Sequence, residues 1–161
     1  MPSIMGIVND SKPVQTIIND VVNYSKHYNM RDGIDLQPSY QRAYIWNADF
    51  KDKLLYSLIR NYPIGNICLR VRTDRNPRGA MREVVDGQQR LTTIYNFANG
   101  KYAIQSDISR KIIEYIMEYM GNDDDEELAK LKQRLENKTK ISLTYSDLPV
   151  PIQKNIMAYP H

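Results

Sequence analysis

Val84-Val85-Asp86-Gly87-Gln88-Gln89-Arg90-Leu91-Thr92-Thr93 reads as a buried strand that passes through a glycine turn into a helix whose first turn is crowded with hydrogen-bond donors. The arrangement suits a phosphate. A helix N-terminus directs N–H groups that have no acceptor within the helix, and the positive end of its dipole, toward an anion. Gly87 lets a ligand approach the main chain closely, and Arg90 supplies a planar, permanently charged fork that can hold two phosphate oxygens. Gln88 and Gln89 add neutral donors, and Thr92 completes the candidate phosphate-binding set. The same residues also fit a plain Asp-Gly turn into an ordinary helix, with Arg90 solvated or salt-bridged.

Downstream of the turn, Leu91, Ile94, Tyr95 and Ala98 fall at i, i+3, i+4 and i+7, which predicts an amphipathic helix stopped by Asn99-Gly100. A strand is expected near residues 102–104. Beyond residue 107 the pattern is helical only: Ile108, Ile112, Tyr115, Ile116 and Tyr119 mark one helix, and Leu128, Leu131 and Leu135 another. The acidic block Asp123 to Glu127 suits the start of that second helix, where negative charge complements the dipole. Ser146-Asp147-Leu148-Pro149 opens a short last helix over 151–158.

Upstream, Asp10 and Ser11 offer caps before Pro13, and Val14, Ile17, Ile18 and Val21 give a core-facing stripe to a helix over 12–27. Ile34-Asp35-Leu36 reads as a short strand leading into the loop 37–42. Asn47 caps a second helix, with Phe50, Leu54 and Leu58 along one face, and Tyr62-Pro63 ends it. Ile67, Leu69 and Val71 alternate with Cys68, Arg70 and Arg72, the period of a half-buried strand; Glu83-Val84-Val85 is its partner across a loop.

The chain has 161 residues, enough for one compact domain with a real core and a helical appendage. At 42% hydrophobic and 25% charged, the composition excludes wholesale disorder. The net charge of +3 does not by itself establish a polyanionic partner. Arg70, Arg72, Arg75, Arg78 and Arg82, however, cluster against a single acid, Asp74. Clustered arginine beside a candidate phosphate site points to a nucleotide or nucleic acid ligand; the competing reading is a solvated basic loop. The lone Cys68 excludes an intrachain disulfide and a cysteine-rich metal centre, and no metal site is expected. No apolar run approaches the roughly 20 residues of a membrane span, and no signal-peptide pattern opens the chain, so a cytoplasmic location without a membrane partner is expected.

Chemistry narrows further. The two histidines, His27 and His161, sit on an expected helix and at the last position, which argues against histidine–metal nuclease chemistry and against Ser-His or Cys-His triads. A Walker-type phosphate loop is absent. The best second element for a phosphate cradle is Gln41-Arg42, in a strand-to-helix loop, where Arg42 and Arg90 would neutralise one polyphosphate from two sides. Arg42 equally suits a loop brace paired with Asp35 or Asp49. Tyr40, Tyr44 and Trp46 read either as wedges closing the core over that loop or as stacking partners for a nucleobase.

Three ordered segments, Gln37-Pro38-Ser39-Tyr40-Gln41-Arg42-Ala43-Tyr44-Ile45-Trp46, Ser57-Leu58-Ile59-Arg60-Asn61-Tyr62-Pro63-Ile64 and Val85-Asp86-Gly87-Gln88-Gln89-Arg90-Leu91-Thr92-Thr93, together resemble the DGQQR-motif, ParB/sulfiredoxin-like N-terminal domain of the GmrSD-type modification-dependent restriction endonucleases. The resemblance runs from about Pro13 to Ile104. It implies an α+β fold, a small mixed sheet with packed helices, over 1–105, followed by a helical extension over 106–161. It also implies binding, and hydrolysis, of a nucleoside triphosphate with Mg²⁺. Asp86, Gly87, Gln88, Gln89 and Arg90 carry over as the nucleotide motif, with Asp86, Gln89 and Arg90 in catalytic roles and Tyr40, Gln41 and Arg42 as the second loop. Asp86 either orients the turn or reaches Mg²⁺ through water.

Family members act against phage DNA bearing modified bases, with cleavage in a separate nuclease domain or subunit. That nuclease domain and the Arg-Leu-Asn-x-Gly type segment are missing here, which reads as a truncated chain, a fragment of a longer protein or a reduced stand-alone relative. The reading is thus a nucleotide-binding regulatory domain of a phage-defence protein. Its rivals are a DNA-binding or protein–protein adaptor that uses Arg70, Arg72, Arg75, Arg78 and Arg82 on phosphates without hydrolysis, and a structural oligomerisation domain.

Overall fold

A computed structural model describes residues 6–7, 13–26, 34–35, 46–65, 67–71, 82–120, 126–136 and 141–160. Six α-helices account for most of them: α1 (Val14–Lys26), α2 (Ala48–Ile59), α3 (Gln88–Ala98), α4 (Ser106–Met120), α5 (Glu126–Glu136) and α6 (Val150–Ala158). The strands are short: β1 (Gly6–Ile7), β2 (Ile34–Asp35), β3 (Cys68–Val71) and β4 (Arg82–Asp86).

This corrects the α+β expectation. The described residues are mostly helical, and a small mixed sheet is not the framework on which the helices pack. Two of its four strands are two residues long, too short to bury a face, so helix packing supplies the bulk of the core. The expected strand at 102–104 is likewise reduced to a single bridge, Ile104 to Leu143, closed by two backbone hydrogen bonds of 2.8 and 3.0 Å.

The described residues form two compact units. The first contains α1, the four strands and the opening turn of α3. Its strands run in the order β1-β3-β4-β2, with β3 antiparallel to both β1 and β4, β2 parallel to β4, and a register shift at Cys68/Leu69. Val14, Ile17, Ile18 and Val21 of α1 are all buried, as their spacing requires, and α1 packs beside β2, whose Ile34 is buried. Arg82, at the start of β4, reaches Asp20 of α1 at 3.1 Å with both side chains mostly covered, an ion pair that ties helix to strand. Val14 N–H donates to the Tyr159 carbonyl at 3.0 Å, holding the end of the chain against the start of α1.

The second unit is helical. Asn47 caps α2 as its sequence position predicts, its side-chain oxygen accepting from the Phe50 N–H at 3.0 Å. Leu54, Leu55, Leu58 and Ile59 are buried, but Phe50, expected on the same face, is 56% exposed. It lies in the first turn, where residues 47–50 are all exposed, and it tilts against Trp46 at 6.0 Å. Asn61, at φ 60°, reverses the chain, and Tyr62 N–H returns to the Ser57 carbonyl at 2.8 Å, a C-terminal lock of Schellman type. Arg60 then sits at the negative end of the α2 dipole, with Tyr56, Tyr62 and Tyr115 rings at 5.6, 5.0 and 4.8 Å and a hydrogen bond to the Tyr56 hydroxyl at 2.9 Å. It pins α2 to α4. Ile112, Ile113 and Ile116 of α4 and Leu128 and Leu131 of α5 complete this core, together with Ile94 and Phe97 of α3. The start of α5 at Glu126 places the end of the acidic block at a helix N-terminus.

Asp52 of α2 is 4% exposed and is the buried acid among the described residues of this unit. It accepts from the Tyr102 hydroxyl at 2.5 Å and from Gln105 N–H at 3.2 Å, the residue that precedes α4. Burial pushes its carboxyl above the ordinary carboxylate range, against the pull of the two hydrogen bonds. The folded protein therefore holds this proton more tightly than the unfolded chain, so stability is lost as pH rises from about 4, the unfolded value, through the raised folded value. In Asp52→Asn that descending limb should vanish. Urea unfolding midpoints measured across mildly acidic pH check it: a variant and parent that change in parallel with pH would contradict this account.

Candidate functional site at the start of helix α3

The site is built where β4 ends and α3 begins, within the first unit. Gly87 has φ 86°, in the left-handed region that an L side chain resists, and this lets the strand end and the helix start without a linker. Its carbonyl accepts the Leu91 N–H at 2.9 Å, closing the first helical turn. No acidic residue lies in that turn, so the dipole's positive end faces no carboxylate of its own helix. Gln88 is buried, whereas Gln89, Arg90 and Thr92 are half-buried and accessible.

Arg90 folds back over the turn. A Cβ placed on Gly87 would lie 3.0 Å from its Nη2, and one placed on Gly65 would lie 2.9 Å from its Nη1. Gly65 too has φ 86°. The guanidinium thus rests between two glycines that come from different parts of the chain, each leaving room for one terminal nitrogen. The close approach that the sequence assigned to a ligand at Gly87 is taken by Arg90 itself, together with Ile67, whose Cγ1 would also lie 3.0 Å from a Gly87 Cβ. The group set against this turn is the arginine fork.

The other sequence candidates are distributed as follows. Asp86 is the last residue of β4, its Cα in register with Cys68, and Arg70 lies in β3 opposite Ile7 and Glu83. Arg82 is engaged with Asp20. Tyr40, Gln41, Arg42, Arg72, Arg75 and Arg78 lie outside the described residues, as do the expected caps Asp10 and Ser11. The residue that sequence reading missed is Gly65. The only signal for it was local, a glycine directly after Tyr62-Pro63-Ile64, and nothing in that segment foretells that it meets a side chain 25 positions later. Among the described residues, no three His, Cys, Asp or Glu side chains gather in a way that would hold a metal ion, and no helix is long and apolar enough to cross a membrane.

The described residues are mostly helical and set one guanidinium beside the glycine turn that opens α3. Residues 18–158 match the family described as GmrSD restriction endonuclease, N-terminal domain, and the chain belongs to that family. It is accordingly a component of a restriction, phage-defence protein, with a nuclease-associated role. No curated protein and no solved structure matches the chain.

Proposed function

We propose that this chain is a nucleotide-binding regulatory domain of a modification-dependent restriction protein, taking a nucleoside triphosphate at the start of α3. The observation that carries the reading is the Arg90 guanidinium, set between Gly65 and Gly87 beside a helix N-terminus with no acid in its first turn. The donor set fits a polyphosphate. Arg90 offers a charged fork, the first turn of α3 offers the dipole, and Gln89 and Thr92 are half-buried polar side chains on the same helix. Gln88 is buried. In this reading Gln41 and Arg42, with Tyr40, complete the cradle, and Asp86 would orient the turn or reach a nucleotide-borne Mg²⁺ through water. When bound, that metal would supply charge neutralisation on the phosphates. The chain's own contribution to hydrolysis would be positioning and electrostatic stabilisation by Arg90 and Gln89. Cleavage of DNA belongs to a separate nuclease domain or subunit, whose action the bound nucleotide would license.

The test is calorimetric titration of each nucleoside triphosphate with Mg²⁺ into the folded protein, followed by a phosphate-release assay with any that binds. Saturable heat with a preference for one base supports a specific pocket. Absence of saturable binding with all four rejects the nucleotide reading, and binding that merely tracks polyanion charge and collapses with salt replaces it with a phosphate-backbone surface.

A further inference from the structure

We infer that Gly65 is a positioning residue for Arg90: it fixes where the guanidinium fork points, and so sets the affinity of the site for phosphate. The inference rests on the proposed nucleotide reading for its functional half and on geometry alone for its structural half.

The two glycines beside the guanidinium are not equivalent. At Gly87 an added Cβ would meet Ile67 Cα at 3.3 Å as well as Arg90, so part of the obstruction is main chain and cannot swing away. At Gly65 the three nearest atoms all belong to the Arg90 guanidinium: Nη1 at 2.9 Å, Cζ at 3.3 Å and Nη2 at 3.7 Å. These are the far end of a flexible side chain. A methyl group at position 65 is therefore accommodated by moving the arginine, whereas one at position 87 must move the backbone. Gly65 acts as a wall of zero height. It leaves room for the fork nearest Nη1, as Gly87 does nearest Nη2.

This bears on binding because a bidentate contact needs the fork at a fixed height and angle. An arginine already held there loses little freedom when the phosphate arrives. Displacing it by the radius of a methyl group moves both N–H vectors off the oxygens they would meet, although charge and composition are unchanged.

A double-mutant cycle on the full chain decides the matter. Gly65→Ala, Arg90→Ala and the double variant are compared with the parent by thermal unfolding and by titration with ATP and with GTP, each with Mg²⁺. At φ 86° alanine carries backbone strain in either background. Only the collision with the guanidinium disappears when Arg90 is gone. Gly65→Ala should therefore lower the melting temperature less in the Arg90→Ala background than in the parent, and should weaken binding of the preferred nucleotide by about tenfold, with unchanged stoichiometry, as a displaced rather than deleted fork would. Additive melting shifts would overturn the placement, because Gly65 would then serve backbone conformation alone. Coupled melting shifts with parental affinity in Gly65→Ala would overturn the positioning role while leaving nucleotide binding intact. A parent that binds neither nucleotide speaks against the function proposed above, and the melting cycle still decides whether Gly65 sets Arg90.

Discussion

Arg90→Ala is expected to weaken nucleoside triphosphate binding by about 50-fold while leaving a folded protein. The magnitude follows from two charge-assisted hydrogen bonds, each contributing about 1.5–3 kcal/mol, partly offset by water filling the space, at roughly 1.4 kcal/mol per tenfold in affinity. The stability cost should be small. Arg90 is half-buried, and its fork rests on two glycines rather than in the apolar core, so a loss of about 1 kcal/mol and a fall of roughly 2–4 °C in melting temperature are expected. Calorimetry and a melting curve on the same preparation separate the two effects. Arg90→Lys sharpens the result: the ammonium keeps the charge but has no planar fork to span two oxygens, so lysine should recover only part of the affinity. Parental affinity in Arg90→Ala would place any nucleotide elsewhere on the chain.

Gly87→Ala should have the larger effect on folding. The residue's φ of 86° costs an L side chain about 1–2 kcal/mol on its own. Its Cβ would also approach Ile67 Cγ1 at 3.0 Å and Ile67 Cα at 3.3 Å, adding overpacking of about 1–3 kcal/mol that only a backbone shift relieves. Together these predict a loss of about 3 kcal/mol and a melting temperature lower by roughly 10 °C. Because Gly87 also supplies the carbonyl that closes the first turn of α3, the variant should fray at that helix start. Amide exchange at Leu91, whose N–H makes that bond, provides the local readout. A variant melting with the parent would mean that the turn adopts another conformation without cost.

Much of the helical layout was legible because it is written in short-range patterns. The buried stripe of α1, the Asn47 cap, the start of α3 after Gly87 and the burial of Leu128 and Leu131 each follow from residues within one or two turns of one another. The misreadings share a cause as well. Phe50 has helical spacing with Leu54 and Leu58, but spacing does not say where along the helix the core begins, and it lies one turn too early. Phe97, 1% exposed and edge-on to Tyr145 at 5.8 Å, was passed over in favour of Tyr95 and Ala98. The stripe of α3 is rotated toward a partner about 50 residues away, which no local periodicity reveals. The sheet was over-weighted because alternation marks a strand but does not measure how far its partner extends.

The sequence by itself therefore determined that a glycine turn opens a helix at residue 88 with an arginine in its first turn, since backbone freedom, dipole and donor placement are properties of adjacent residues. What only the tertiary structure decided is where that arginine goes. Its fork is seated between Gly87 and Gly65, 22 positions apart, and the space it fills exists because neither has a Cβ. A missing side chain leaves no mark on hydrophobic period or charge pattern, so its value as room for another group appears only when the chain has brought the two glycines together.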